Sequence, residues 1–104
     1  APRGRVVSTV STHVLDTAAG LPASGIAVRL ETRSGDPLDQ GVTDADGRIG
    51  SLGGELDAGD YVLRFATEGV FFPEVVVVFT ISDQRHHHVP VLLSPYGYST
   101  YRGS

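Results

Sequence analysis

The sequence predicts an all-β fold, a two-layer antiparallel β-sandwich of about eight strands. Valine is the most frequent residue, with 14 copies. Apolar residues recur at every second position rather than at helical spacing, and 13 glycines and 6 prolines separate the alternating segments. Because 104 residues have room for one hydrophobic core, we expect a single domain over residues 1–104.

Four strands are expected in the first half of the chain. The first spans residues 5–15, and a turn rich in small residues follows it. Residues 26–31 alternate between apolar and polar side chains, as in a strand with one buried face. A short strand at 40–43 precedes a tight turn at 44–47, and another short strand begins at Arg48.

The second half contains four more predicted strands, at residues 60–67, 74–82, 86–93 and 98–101. The strand at 74–82 contains four consecutive valines, which is typical of a central strand buried on both faces. No segment has the apolar spacing of a convincing amphipathic helix. This order of short strands and turns favours a sandwich over other all-β architectures.

The composition excludes several classes of function. The absence of cysteine excludes disulfides, cysteine zinc sites and thiol nucleophiles. A net charge of -4, with eight arginines and no lysine, argues against nucleic-acid binding. The longest apolar run covers residues 75–79, far short of the roughly 20 residues that a membrane-spanning helix needs. No apolar leader follows the first residues, so we expect a cytoplasmic location.

Three places carry polar side chains that strand packing would not select. His13 lies near the end of the first strand, Arg48 directly follows a tight turn, and residues 86–104 combine histidines with a strand-like tail. The structural alternatives are a half-buried strand histidine and a solvated turn arginine. The tail could form a ligand clamp, or an edge strand that completes a sheet or a dimer.

The histidine triplet at residues 86–88 invites a metal-site interpretation. His86 and His88 project from the same face of a strand, about 6 to 7 Å apart. A metal site needs a third close ligand, however, and no motif supplies one. We therefore predict no metal and no cofactor.

Several motifs together carry a family resemblance. They are the segments 12–16, 20–23, 43–48, 72–75 and 86–104, which span nearly the whole chain. In these segments the sequence resembles the hydroxyisourate hydrolases of the transthyretin-like family. The terminal run from Tyr101 to Ser104 is the most specific motif, because it distinguishes the hydrolases from the hormone-carrying transthyretins.

The resemblance implies an activity and an assembly. The activity is hydrolytic ring opening of 5-hydroxyisourate to 2-oxo-4-hydroxy-4-carboxy-5-ureidoimidazoline in urate breakdown, without a cofactor. The partners implied are this small-molecule substrate and three further copies of the chain, in a homotetramer with sites at the subunit interface. The implied catalytic residues are His13, His88 and Ser104, and the implied substrate-binding residues are Arg48, Tyr101, Arg102 and Gly103.

Residue chemistry leaves the roles within this site open. Either His13 or His88 could activate water while the other donates a proton. Arg48 and Arg102 suit the polar ring and the developing oxyanion. Ser104 could relay a proton, act as a nucleophile or orient a histidine through its carboxylate, and we favour relay and orientation.

Two departures from the family pattern stand out. His87 occupies a position where the family more often has Tyr, and period two turns its side chain away from His88, so we expect no effect on the chemistry. Between Phe65 and Phe72 the family usually has a longer connection with a short helix, which we expect to be short or absent here. The rival functions are a non-catalytic transthyretin-type carrier and a prealbumin-like structural domain.

Overall fold

Nine β-strands form two sheets in the computed structural model, which describes residues 7–103. The strands are β1 (Val7–Asp16), β2 (Leu21–Pro22), β3 (Ala27–Thr32), β4 (Pro37–Val42), β5 (Arg48–Asp57), β6 (Gly59–Ala66), β7 (Val75–Ile81), β8 (His87–Ser94) and β9 (Gly97–Thr100). The predicted all-β class is confirmed. Residues 5 and 6 of the first predicted strand lie outside the described residues.

Sheet I is built around β1. One edge of β1 pairs with β8, which in turn pairs with β9, and the other edge pairs with β2 and β5. The β1–β8 pair is parallel and runs from Val10 opposite His87 to Asp16 opposite Leu93, whereas the other pairs are antiparallel. The expectation of an antiparallel sheet is therefore corrected at this pair, because an alternating pattern does not specify strand direction.

Sheet II has the strand order β4-β3-β6-β7, and all its pairs are antiparallel. The buried apolar residues of both sheets form one cluster, which confirms the two-layer sandwich. The alternation predicted for β3 holds as far as Leu30, since Val28 and Leu30 are buried while Ala27 and Arg29 are exposed. Glu31 departs from it, because this residue is buried in ion pairs with two arginines. The cluster comprises Val10, Val14, Val28, Leu30, Leu52, Leu56, Leu63, Phe65, Val75, Ile81, Val89 and Val91.

The strand with four valines, β7, is not central. It lies at the edge of sheet II, paired only with β6 among the described strands. Val75 and Ile81 at its ends are buried, but Val76 and Val78 are 40% and 48% exposed. The prediction of burial on both faces is therefore wrong for this chain, because a valine run records β propensity and not position in the sheet.

Two further predictions concern the strand that begins at Arg48 and the connection between β6 and β7. The strand that begins at Arg48 was expected to be short but extends to Asp57, with register shifts where it crosses β1. The connection between β6 and β7 contains no helix, as expected, and is held by a hydrogen bond from the Thr67 hydroxyl to the Phe72 carbonyl (2.6 Å). In the described part of the chain, no helix is long and apolar enough to cross a membrane.

Candidate active site

The predicted residues His13, Arg48 and His88 converge where β1, β5 and β8 lie side by side. In the antiparallel β1–β5 pair His13 is opposite Arg48, and in the parallel β1–β8 pair Ser11 is opposite His88. The ring centroids of His13 and His88 are 6.5 Å apart. Two hydrogen-bonded ladders thus bring together residues that are far apart in the sequence.

The turn before β5 fixes the start of that strand and hence Arg48. The Asp44 carboxylate accepts hydrogen bonds from the backbone N–H groups of Asp46 and Arg48, both at 2.9 Å. Gly47 has a φ of 75°. Its carbonyl oxygen accepts a hydrogen bond from the backbone N–H of Val14 on β1, at 2.7 Å. A Cβ at Gly47 would collide with the Val14 carbonyl oxygen, so this close approach requires glycine.

His13 is half-buried, and one of its ring nitrogens has a defined partner. Its Nε2 lies 2.9 Å from the carbonyl oxygen of Asp46. Because a carbonyl oxygen only accepts, Nε2 carries the hydrogen of this bond. In neutral His13 the lone pair is then on Nδ1, which is the nitrogen available to accept a proton.

His88 is also half-buried, and its environment favours the neutral ring. Burial lowers the pKa of His88, and the nearby positive charge of Arg48, with His13 and His86, lowers it further. Its Nδ1 lies 2.8 Å from the Ser11 hydroxyl. No described residue is hydrogen-bonded to its Nε2, so a neutral His88 that donates from Nδ1 offers a lone pair on Nε2.

Sequence reasoning missed two hydroxyl residues of β1, Thr9 and Ser11, which contact His86 and His88. Ser11 lies 2.7 Å from His86 Nε2 as well as 2.8 Å from His88 Nδ1, and Thr9 lies 2.5 Å from His86 Nδ1. The available signal was period two, which places the polar side chains of Thr9, Ser11 and His13 on one face of β1. The signal was masked because Ser8 and Thr12 on the other face are polar as well.

A shallow depression of about 290 Å³ lies on the outer side of sheet I. Its lining includes Ser11, Arg48, Ile49, His86 and His88. The volume is close to the lower limit of sites that bind small molecules. The histidines and the guanidinium supply a proton acceptor, a proton donor and a positive charge, which are the groups that acyl hydrolysis requires.

The predicted tail residue Gly103 lies directly against His88. Its N–H donates to the His88 carbonyl at 2.8 Å, and the two residues form an isolated antiparallel bridge. A Cβ on Gly103 would be 2.6 Å from Cδ2 of the His88 ring. Glycine is therefore the residue that lets the tail cross this ring. Ser104, the third predicted catalytic residue, lies outside the described residues.

Tyr101 and Arg102 do not line the depression. They border a separate cavity of about 300 Å³ between the tail and β7. The Nη2 atom of Arg102 lies 3.4 Å from Asp83 Oδ2 and 3.5 Å from His87 Nε2. Within this chain, the structure thus brings four of the predicted residues together, His13, Arg48, His88 and Gly103. Tyr101 and Arg102 do not line the depression but share the second cavity with His88.

His87 points away from His88, as period two predicts. It is 4% exposed and lines the cavity beside Arg102. Its Nδ1 is buried without a hydrogen-bond partner among the described residues. Residues 7–103 contain no group of three or more histidine or carboxylate side chains placed to hold a metal ion.

Comparison with protein families gives one match over most of the chain. The HIUase/Transthyretin family model matches residues 10–103. The chain is 44% identical to the 5-hydroxyisourate hydrolase of Caulobacter vibrioides over 115 aligned positions, covering 94% of this chain and 100% of that protein. It is also 44% identical to the 5-hydroxyisourate hydrolase of Mus musculus, covering 93% of this chain and 96% of that protein.

Solved structures give the same result. The 5-hydroxyisourate hydrolase of Klebsiella pneumoniae superimposes with a TM-score of 0.86 at 40% identity, covering 93% of this chain and 99% of that chain. Sea bream transthyretin in complex with thyroxine superimposes with a TM-score of 0.82 at 31% identity, covering 90% and 93% of the two chains. A 5-hydroxyisourate hydrolase and a transthyretin in complex with thyroxine thus share this fold.

Proposed function

This chain belongs to the HIUase/transthyretin family, and from that premise we propose that it hydrolyses 5-hydroxyisourate. The product of ring opening is 2-oxo-4-hydroxy-4-carboxy-5-ureidoimidazoline. The observation that carries the proposal is the convergence of His13, Arg48 and His88 where β1, β5 and β8 lie side by side, with a lowered pKa at His88. Its relatives of 40% identity or more that are named above are hydrolases of this substrate.

The reaction needs an activated water, a positive charge near the carbonyl oxygen and a proton for the leaving nitrogen. We assign water activation to His88, because its lowered pKa keeps the ring neutral at neutral pH. Arg48 lies beside both histidines and stabilises the negative charge that develops on the oxygen. His13, when protonated, then donates to the leaving nitrogen.

The tail contributes by position in this scheme. Gly103 lies directly against His88, and Ser104 is the next residue in the sequence. We propose that Ser104 orients His88 or relays a proton to it. For Tyr101 and Arg102 we propose contact with substrate in the assembled protein, where the depression of one chain meets the tail of another.

Two features support the proposed homotetramer. The depression is shallow and open, so a neighbouring subunit is needed to enclose a substrate. Edge strand β7 exposes Val76 and Val78, which are 40% and 48% accessible, and an apolar edge of this kind is usually covered.

Light scattering should give four times the chain mass for the wild type, and Val78→Asp should reduce the assembly. A wild-type protein that stays monomeric would contradict the tetramer.

The carrier function remains the second candidate, because sea bream transthyretin with thyroxine shares the fold at 31% identity. A direct assay separates the two. Freshly generated 5-hydroxyisourate is followed by its absorbance with and without the protein. We expect decay well above the spontaneous rate, and no acceleration would favour a carrier or a structural domain. The cytoplasmic location stays a prediction, which cell fractionation would test.

A further inference from the structure

A row of hydrogen-bonded side chains in the active-site depression leads from His88 to an exposed histidine, His86. His88 Nδ1 contacts the Ser11 hydroxyl at 2.8 Å, Ser11 contacts His86 Nε2 at 2.7 Å, and His86 Nδ1 contacts Thr9 at 2.5 Å. Ser11 is 8% exposed, whereas His86 is exposed. The scheme proposed above uses His88 but assigns nothing to Ser11 or His86.

The single hydroxyl hydrogen of Ser11 constrains the protons in this row. Ser11 can donate to only one of the two ring nitrogens, so it accepts an N–H hydrogen bond from the other. If Nδ1 of His88 is the donor, Ser11 donates in turn to His86 Nε2. His86 then carries its hydrogen on Nδ1, where the Thr9 oxygen accepts it. This arrangement leaves the Nε2 lone pair of His88 free to accept a proton.

We propose that Ser11 is a positioning residue that holds His88 in this tautomer and passes a proton from His88 to His86 during turnover, an inference that rests on the proposed function. As His88 Nε2 takes a proton from the attacking water, the Nδ1 proton moves to the Ser11 oxygen. The hydroxyl proton of Ser11 moves to His86 Nε2. One O–H bond of water is broken, one N–H bond is gained, and the positive charge resides on His86.

The surroundings of the two rings favour this direction of transfer. His88 is half-buried, and it faces the charge of Arg48 on β5 and His13 on β1. His86 lies at the exposed end of the row, and its Nδ1–H has the Thr9 oxygen as acceptor. A positive charge is more stable in water than in a half-buried site beside a guanidinium. Transfer to His86 therefore relieves the cost of protonating His88.

The first test removes only the hydroxyl group. Ser11→Ala should lower kcat by about tenfold or more, since a general base that cannot release its proton loses most of its effect. KM should stay within about twofold, because Ser11 does not bind the carbonyl being attacked. Ser11→Thr restores a hydroxyl and should recover most of the activity. The matched control is Ser94→Ala, which loses a 3.0 Å hydrogen bond to the Gly97 carbonyl at the far end of β8.

Two further measurements separate a proton relay from a purely structural role. The double variant Ser11→Ala/His86→Gln should be no slower than Ser11→Ala alone, because both changes break one path. When kcat is plotted against the fraction of D₂O in the solvent, the wild type should give a curved plot, because several protons move together. Ser11→Ala should give a straighter plot. Additive losses in the double variant, or the same curved plot in both proteins, would overturn the relay.

A measurement without substrate keeps this inference separate from the proposed function. The ¹⁵N chemical shifts of the imidazole rings report which nitrogen carries the proton. In ligand-free Ser11→Ala, the shifts of His86 and His88 should both change, while those of His13 stay as in the wild type. An inactive wild type would refute the proposed function, whereas an active wild type with unchanged His86 and His88 shifts in the variant would refute the relay.

Discussion

The outer faces of the two sheets carry ionisable side chains in opposite arrangements. On sheet II, the Glu31 carboxylate accepts a hydrogen bond from Arg64 Nε at 2.9 Å and forms an ion pair with Arg29 Nε at 2.7 Å. Arg64 also forms an ion pair with Glu74 at 3.0 Å. On sheet I, Arg48 lies beside two histidines, and none of the ion pairs within residues 7–103 includes it.

This difference separates a structural cluster from a functional one. The hydrogen bond from Arg64, with the charges of Arg64 and Arg29, lowers the pKa of Glu31 despite its burial. Each charge on that face is compensated, so the network stabilises the fold and offers little to a ligand. On sheet I the positive charge of the exposed Arg48 has no ion-pair partner among the described residues, which leaves it available for a substrate oxygen.

The largest expected effect is on the histidines of sheet I. His88→Ala and His13→Ala should each lower kcat/KM by about a hundredfold or more, because a general base or acid is lost. Initial rates measure the effect, with circular dichroism as the check on folding. Arg29→Ala, on the outer face of sheet II, serves as the control and should keep near-wild-type activity. Near-wild-type turnover in either histidine variant would remove that residue from the mechanism.

Arg48→Gln should lower kcat/KM by about tenfold and also change its pH dependence. Burial, Arg48 and the neighbouring histidines lower the pKa of His88, so in the wild type the neutral base persists as pH falls below the usual 6.5. Removing the Arg48 charge raises the pKa of His88, and activity should then be lost at a higher pH. If the acid side of the plot of kcat/KM against pH does not move in this variant, His88 is not the titrating base.

The same shift has a consequence for stability. Because the folded pKa of His88 is lowered, the unfolded chain binds the proton more readily. Stability should therefore fall as pH decreases from the unfolded value of about 6.5 through the folded pKa. Urea unfolding of the wild type and His88→Gln across this pH range would measure it, and the variant should show the smaller loss.

Gly103→Ala should have an intermediate effect. The added Cβ would lie 2.6 Å from the His88 ring, so the tail or the ring must move. We expect activity to fall several-fold, with little change in the midpoint of thermal unfolding, because the tail contributes few core contacts. Gly97→Ala, whose Cβ would meet only the Ser94 hydroxyl oxygen at 3.4 Å, is the matched control on sheet I. Equal activities of the two variants would contradict the contact between Gly103 and His88.

The smallest effect on activity is expected for Glu31→Gln on sheet II. This variant should turn over substrate as the wild type does but unfold at a temperature lower by a few degrees. The lowered pKa of Glu31 contributes stability above the unfolded value of about 4.3, and that stability is lost as pH falls through the folded pKa. The difference between variant and wild type should therefore shrink in acid. A large loss of activity would contradict the division between the two faces.

Much of the fold was predictable because alternation is a local property. The strands around Val28 and Leu63 follow directly from period two. Strand direction and order are not local, so the parallel β1–β8 pair and the edge position of β7 could not be derived from the same pattern. Four valines fit an exposed edge as well as a centre once another surface covers them.

The site divides in the same way. Residue chemistry and the family resemblance pointed to His13, Arg48 and His88, and the structure brings these three together. The contact between Arg102 and Asp83 was not predictable, because these residues lie 19 positions apart in the sequence. Asp83 precedes β8, whereas Arg102 follows β9. Ser11 was overlooked because a serine on a strand is ordinary until its two histidine partners, 75 and 77 residues away, are known.

The parallel pairing of β1 with β8 also determines when a working site can arise. His13 and His88 belong to strands at opposite ends of the sequence, and the ladder between them closes a loop of most of the chain. Closing a loop of this length is entropically costly, and such long-range contacts form late in folding. During synthesis the proposed catalytic pair therefore cannot form until β8 has left the ribosome. Incomplete chains should bind and hydrolyse nothing.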